Sequence, residues 1–224
     1  MLKDFVEKLK QMRPERVEFD PASLEDPVAL ETEWGPAKGG GANFRTHQLV
    51  QVDPNRIEFR ASWGSKLFGI IFSVVGLGAM AVFISESMDG DEFALTFPLV
   101  LVVLLCSAFV VGGILMFFFF TAPIVFDRRV GAFWIGRTAP DQTFNRLTLK
   151  NYAELKDIHA IQLIAEYLSG SKTSYYSYEL NLVLKDGKRF NVVDHGDKAK
   201  IIEDAGTLAE FLGVPVWNAI GEKN

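Results

Sequence analysis

Two uninterrupted apolar runs dominate the pattern of hydrophobic and polar positions along the chain. Residues 67–84 form a run of 18 without a charge, and residues 97–120 form a run of 24. At a rise of about 1.5 Å per residue, helices of this length span the hydrocarbon of a bilayer. A helix is expected because lipid offers no partner to open backbone groups. The pattern therefore predicts a transmembrane hairpin over residues 66–120, with the lipid bilayer as a partner.

The charges beside these runs predict their orientation. The loop between them, residues 85–96, carries four acids and no Lys or Arg, whereas cations stand before the first run and after the second. Cationic flanks stay on the cytoplasmic side of a membrane. Both termini are therefore expected in the cytoplasm, in a multi-pass protein of the inner (plasma) membrane. Aromatic or cationic anchors at the membrane interface are predicted at Trp63, Lys66, Arg128 and Arg129.

Small residues punctuate both runs and allow helices to approach each other closely. The predicted packing positions are Gly69 and Ser73 in the first run and Ala108 and Gly112 in the second. Two interpretations stay open: the two spans pack on each other within one hairpin, or these residues join copies of the chain in a homo-oligomer. Neither run holds an ionisable side chain other than the lone Cys106 thiol, which disfavours a channel or transporter built from this chain alone.

Alternating apolar and polar positions outside the runs predict seven β-strands. Two of them form a hairpin within residues 44–61, and five more lie within residues 121–224. A C-terminal amphipathic helix is predicted over residues 197–212, because apolar residues recur there at helical spacing between a capping Asp197 and Gly213.

The N-terminal part, residues 1–43, has a different composition. Its first residues combine apolar positions at helical spacing with Lys and Arg, which predicts a short amphipathic helix. Three prolines and three consecutive glycines follow. This composition predicts a flexible linker.

Four segments carry a resemblance to a known family: IVFDRRVGAFWIG, LKDIHAIQLI, YELNLVLKDGKRFNVVDHG and DAGTLAEFLGVPVW. With the apolar runs removed, the order of elements resembles the membrane-anchored bacterial pleckstrin-homology-like (PH-like) domain proteins of unassigned function. The resemblance implies a membrane α+β fold in which a two-helix transmembrane hairpin is inserted between strands 2 and 3 of a seven-stranded PH-like barrel with a C-terminal helix. It also implies a bacterial origin.

The charge balance bears on the ligand class. Residues 121–224 hold 13 Lys and Arg against 13 Asp and Glu. Nucleic-acid binding needs a basic stripe, so no nucleic-acid partner is expected. Recognition of a polyanionic headgroup is disfavoured as well, because the first predicted hairpin turn offers only Arg56 beside Asp53.

The histidines offer the only enzymatic alternative. Asp194 with His195 could act as a general base, or both His159 and His195 with Asp157 could hold a metal in a membrane-bound hydrolase or metal enzyme. No nucleophile, phosphate-loop or metal motif accompanies them. The sequence therefore predicts no catalytic residue, no cofactor and no metal site.

A tyrosine-rich loop is the best candidate for partner binding. Residues 169–178 combine three tyrosines with small polar residues, a composition suited to adaptable contacts. The predicted contact residues are Lys172, Tyr175, Tyr176 and Tyr178. The sequence thus predicts a non-enzymatic inner-membrane adaptor or scaffold that presents a cytoplasmic PH-like domain to an unknown protein partner. The alternative is a small membrane oligomer or toxin-neutralising factor acting through its transmembrane helices.

Overall fold

The computed structural model describes residues 19–89, 92–93, 96–142, 151–169 and 173–221, and these form a mixed α+β fold with two long helices and two larger sheets. The helices are α1 (Pro27–Glu31), α2 (Trp63–Glu86), α3 (Phe97–Phe120) and α4 (Lys198–Leu212). The strands are β1 (His47–Asp53), β2 (Arg56–Ala61), β3 (Met88–Asp89), β4 (Glu92–Phe93), β5 (Ile124–Asp127), β6 (Ala132–Ile135), β7 (Tyr152–Glu154), β8 (Ile158–Ser169), β9 (Ser174–Leu184), β10 (Arg189–His195) and β11 (Val216–Asn218). The predicted N-terminal amphipathic helix lies in residues outside the described ranges.

Helices α2 and α3 have 24 residues each and are long and apolar enough to cross a membrane. At about 1.5 Å per residue, each is roughly 36 Å long. Helix α2 begins four residues before the predicted run, because the Ser62 hydroxyl accepts a hydrogen bond from the Ser65 amide and caps its first turn. The most apolar windows of the two helices are only 11% and 17% buried. Their outer surface is therefore apolar and uncovered within the described structure.

The described strands outside the helix connection form two sheets that do not close into a barrel. The first has the order β1-β2-β5-β6-β7 and the second has the order β10-β9-β8-β11. All neighbouring strands are antiparallel except β11, which pairs parallel with β8. The prediction of seven strands was wrong, since the two larger sheets contain nine within the described residues. Strands β7 and β11 have three residues each, which is too short for an alternating pattern to reveal them.

The main hydrophobic core lies between the two sheets and helix α4. Phe59, Phe126 and Phe133 enter it from the first sheet, and Leu180 and Leu182 enter it from the second. Helix α4 adds Ile201, Ala205 and Leu208, spaced at three and four residues as an amphipathic helix requires. The Asp197 carboxylate accepts from the Lys200 amide, and Gly213 ends the helix with a φ of 72°. Both signals were predicted from the sequence.

Residues 19–46, named here the strap, cross the outer face of the second sheet. Ala29 is fully buried against Ala160, Val183 and Trp217, and the ring of Trp34 lies 5.8 Å from the ring of Trp217. The prediction of a flexible linker over this part of the chain is thus replaced by a segment with defined packing. The prolines and glycines shape the path of the strap, and its partners come from strands far along the chain.

Candidate functional site

The strap is held to the second sheet by two carboxylates, of which Glu179 is buried and Glu166 is partly exposed. Glu179, with no exposed surface, accepts hydrogen bonds from the backbone amides of Ala37 at 2.7 Å and Lys38 at 3.0 Å. Glu166 accepts from the amide of Gly40 at 3.0 Å. Hydrogen bonds to a charged acceptor are stronger than neutral ones, so these contacts anchor the middle of the strap.

Gly41 makes the closest approach between the strap and the sheet. The Tyr175 hydroxyl donates to the carbonyl of Gly41 at 2.7 Å. A Cβ atom added at Gly41 would stand 2.0 Å from Oδ1 of Asp194 and 2.1 Å from Oγ of Ser177. A residue with a Cβ atom fits at this position only if the side chains of Asp194 and Ser177 shift.

Asp194 lies beneath Gly41 in an acidic environment. Burial raises the pKa of Asp194 to about 6, and the negative charges of Glu179 and Glu166 act in the same direction. The Ser177 hydroxyl, which donates a hydrogen bond to Asp194, acts in the opposite direction. A carboxyl group with this pKa changes its charge just below neutral pH.

Substitution of Asp194 tests how far the charge of its carboxylate destabilises the folded protein. The folded protein binds this proton more tightly than the unfolded chain, so ionisation destabilises the fold as the pH rises from about 4 through 6. Asp194→Asn keeps an acceptor for Ser177 without the charge. We expect this substitution to raise the free energy of unfolding at pH 7.5 by about 1 kcal/mol, since solvent screens part of the charge of Asp194. The gain disappears near pH 4.

Thermal unfolding of the detergent-solubilised protein at both pH values measures this effect. Asp186 provides a matched control, because its hydrogen bond from Lys188 holds its pKa below the ordinary value. Asp186→Asn therefore gives no gain at pH 7.5. An unchanged melting temperature for Asp194→Asn at pH 7.5 contradicts the prediction.

Asp194 and His195 do not form the general base pair considered from the sequence. Successive side chains of a strand point to opposite faces of a sheet, and Asp194 faces Ser177 and the strap. His195 is fully buried, and its Nδ1 accepts from the Asp197 amide at 3.2 Å. Burial lowers the pKa of His195 to about 4, so the ring is neutral at physiological pH.

His159 likewise has a contact other than the one considered for a metal site. Its Nε2 lies 2.7 Å from Oδ2 of Asp26 on the strap, and its ring packs edge-on against Trp217 at 5.6 Å. His159 thus joins the strap to the sheet. The contacts of the two histidines give no support to the hydrolase or metal-enzyme alternative.

Three tyrosines form a row on the hairpin of β8 and β9. The end of this hairpin, residues 166–169 and 174–178, is named here the tyrosine ribbon, since most of it extends beyond the strands paired on either side. The ring of Tyr176 lies 5.2 Å from that of Tyr167 and 6.3 Å from that of Tyr178. All three side chains are partly exposed. Their rings offer an aromatic surface of the kind that binds proteins.

The four predicted partner-binding residues do not share one face. Tyr176 and Tyr178 belong to the row, whereas Tyr175 faces the strap, as its hydrogen bond to Gly41 shows. Lys172 lies outside the described residues. The sequence reasoning missed Tyr167, which a pairing of alternate residues across the hairpin could have indicated.

The predicted interface anchors separate into two groups. Trp63 is 77% exposed at the start of α2, and the ammonium of Lys66 lies 5.3 Å from the centre of its ring. Arg128 and Arg129 lie in the turn after β5, at the end of that strand away from α3. Arg128 donates to the carbonyl of Phe211, and Arg129 pairs with Asp127 and Asp53. They serve the folded domain rather than the helix ends.

Arg137 takes the position beside helix α3 that was predicted for Arg128 and Arg129. Its guanidinium donates to the carbonyl of Phe118 at 2.8 Å and to the Thr121 hydroxyl at 2.7 Å. It also lies 4.3 Å from the centre of the Phe118 ring. A cation at this end of a helix interacts favourably with the helix dipole. The pairing of β5 with β6 returns Arg137 to the helix end.

Helices α2 and α3 contact each other through small residues. Gly69 and Ser73 lie in this contact, as predicted, and the Ser73 hydroxyl donates to the carbonyl of Val110 at 3.3 Å. On α3 the contact is made by Gly113 and not by the predicted Gly112, which has nothing within 4 Å of an added Cβ. Ala108 is exposed. Packing of the two helices within one hairpin therefore explains two of the four predicted packing positions, Gly69 and Ser73.

A cavity of about 930 Å³ lies where the long helices meet the sheets. One wall consists of the helix ends, with Phe68, Phe119 and Phe120. The other walls are strand β10 and the strap at residues 38–42. This cavity was not predicted, because its walls come from segments that are distant along the chain.

The cavity has eight polar side chains among its 22 described lining residues. They are Lys38, Thr46, His47, Ser65, Asn151, Arg189, Asn191 and Asp194. Burial lowers the pKa of His47 to about 4, so its ring is neutral at physiological pH. Five phenylalanines are among the described apolar lining residues: Phe44, Phe68, Phe119, Phe120 and Phe190.

Comparison of the chain with protein-family models, with curated proteins and with solved structures finds no match.

Proposed function

We propose that this chain is a membrane-anchored, non-catalytic binding protein that presents its α+β domain to a protein partner at the cytoplasmic surface. Helices α2 and α3 form the anchor. The tyrosine ribbon forms the contact surface. The observation that carries the proposal is the direct connection between the domain and the two long apolar helices.

This connection leaves almost no linker. One residue separates β2 from α2, and three residues separate α3 from β5. Strands β2 and β5 pair with each other, so both helices leave from neighbouring positions in one sheet. The Ser65 hydroxyl donates to the carbonyl of Thr46 at 2.9 Å, and Arg137 ties the end of α3 in the same region. Membrane insertion of the helices therefore brings the domain against the bilayer.

The charge pattern supports the cytoplasmic side. The connection between α2 and α3 carries acids and no Lys or Arg, whereas the domain carries the cations. Residues before α2 and after α3 belong to the same sheet, which supports the proposal that both ends of the chain share one side of the membrane. The proposal of a bacterial inner-membrane protein rests on the sequence resemblance alone, because the two sheets do not close into the seven-stranded barrel that the resemblance implies.

The tyrosine ribbon supports binding of a protein. Tyrosine rings give large contact areas at a low cost in side-chain entropy. The ribbon is held from its opposite face by the strap, through Tyr175 and Glu166. A surface held in one conformation before binding loses less entropy on association.

Photo-crosslinking in cells tests the proposal. A benzophenone amino acid replaces Tyr176 in the full-length protein, and adducts are identified by mass spectrometry. We expect one dominant protein adduct, lost when Tyr167→Ala is added, because the two rings are neighbours. The same amino acid at Gln51, exposed on the first sheet, gives no such adduct. The oligomer alternative predicts instead that Tyr176 gives no adduct with another protein and that the same amino acid at Leu104, exposed on α3, joins copies of the chain.

A further inference from the structure

The cavity lies at the level where the two long helices enter the domain. Phe68 is five residues into α2, roughly 8 Å from its start, and Phe119 and Phe120 are the last two residues of α3. For helices that cross a bilayer, these positions correspond to the boundary between headgroups and hydrocarbon. The cavity therefore faces the membrane interface rather than the free surface of the domain.

The phenylalanine rings at the cavity are only about half covered by the described part of the chain. Phe68 is 50% exposed, Phe119 66%, Phe120 50% and Phe44 49%. Exposed apolar surface costs about 25 cal/mol per Å² in water, so a contiguous patch of this kind marks a binding surface. Ile124, Ile135 and Phe190 continue the apolar lining from the helix ends into the domain.

The size and lining of the cavity fit an amphiphile. Its volume of about 930 Å³ lies near the upper end of the range of small-molecule sites, roughly 300–1,000 Å³. Such sites combine an apolar lining with a few polar groups that orient the ligand. Lys38 supplies a cation here, and the Asn191 amide, which also donates to Asn181, supplies a second donor. Asp194 is the one acidic residue among the described lining residues. An ammonium and an amide both suit a phosphate group.

We propose that one acyl chain of a membrane phospholipid occupies this cavity, with its phosphate near Lys38. The inference rests on the proposed membrane insertion of α2 and α3. The bilayer supplies the occupant, because the helix ends form one wall and open the cavity to the hydrocarbon layer. The acyl chain covers the phenylalanine rings and joins the domain to the lipid surface.

Photolabelling from within the bilayer tests this proposal. The full-length protein is reconstituted into vesicles of phosphatidylcholine that carries a diazirine on its acyl chain. After irradiation, mass spectrometry locates the adducts. We expect adducts on the outer surface of α2 and α3 and, in addition, on Ile135 and Phe190 within the domain. Ile135 and Phe190 belong to the sheets, so lipid around the helices alone does not reach them.

The adduct map separates the two proposals. Adducts on the helices without adducts on Ile135 or Phe190 overturn the lipid site and leave the membrane anchor intact. The absence of adducts on the helices overturns the anchor itself. Wild-type protein gives both answers, so the test does not depend on a variant that folds.

A cavity-filling variant supplies the second arm. Ala122 lines the cavity, and Ala122→Trp is expected to abolish adducts on Ile135 and Phe190 while adducts on the helices persist. Ala199→Trp, at an exposed position on α4, leaves all adducts in place. Unchanged labelling of Ile135 and Phe190 in Ala122→Trp would show that lipid reaches them by another route and would overturn the proposal.

Discussion

Replacing Gly113 with leucine is expected to separate helices α2 and α3. A Cβ atom at Gly113 would stand 2.4 Å from Oγ of Ser73, 2.7 Å from the carbonyl oxygen of Gly69 and 2.7 Å from the backbone nitrogen of Ser73. Two of these atoms belong to the backbone of α2, so the contact is relieved only when the helices move apart. Overpacking of this kind costs about 3 kcal/mol, and the melting temperature in detergent measures the loss.

Gly112→Leu is the matched control. Gly112 is the preceding residue of the same helix and has nothing within 4 Å of an added Cβ. Both substitutions raise helix propensity by about 1 kcal/mol and add the same apolar side chain. The difference between the variants therefore isolates the contact between the helices. A larger loss for Gly112→Leu would place the contact on the face of Ala108 and Gly112 and would contradict the packing described above.

The long helices could be predicted because their signal is local. An apolar run of 18 or 24 residues needs no distant partner to become a helix. The C-terminal helix is similar, since Asp197 and Gly213 act on the adjacent backbone. Packing between helices is harder to predict. Consecutive residues of a helix differ by about 100° in direction, and this separates Gly113 from Gly112.

The strap could not be predicted because its interactions are long-range. Ala37 and Glu179 are 142 residues apart in the chain. The composition of residues 20–43 resembles that of a linker, and the carboxylates that hold this segment lie on strands β8 and β9. The cavity and the placement of Arg137 depend on the same kind of contact. The local sequence pattern thus predicted most helices and strands. The candidate site depends on contacts between segments that are far apart in the sequence, which no local pattern reveals.

Gly41→Ala is expected to release the middle of the strap from the second sheet. The added methyl would meet Oδ1 of Asp194 and Oγ of Ser177 at 2.0 and 2.1 Å. Ser177 is fully buried and its hydroxyl is bonded to Asp194, so these side chains turn aside only by breaking that hydrogen bond. We therefore expect the strap to move away, and Glu179 then loses the amides of Ala37 and Lys38. A hydrogen bond to a charged group contributes about 1.5–3 kcal/mol. We therefore expect the free energy that opposes opening of the strap to fall by about 3 kcal/mol. Amide hydrogen exchange at Ala37 and Lys38 then accelerates roughly 100-fold.

Gly39→Ala separates this steric effect from the change of residue type. An added Cβ at Gly39 finds only Oε1 of Glu166, at 4.0 Å, which is ordinary contact, and Gly39 has no positive φ. Both variants also lower the chain entropy of the unfolded state to the same extent. We therefore expect slow exchange at Ala37 and Lys38 in Gly39→Ala. Slow exchange in Gly41→Ala as well would mean that the strap does not depend on close approach at Gly41, and the carboxylates alone would then hold it.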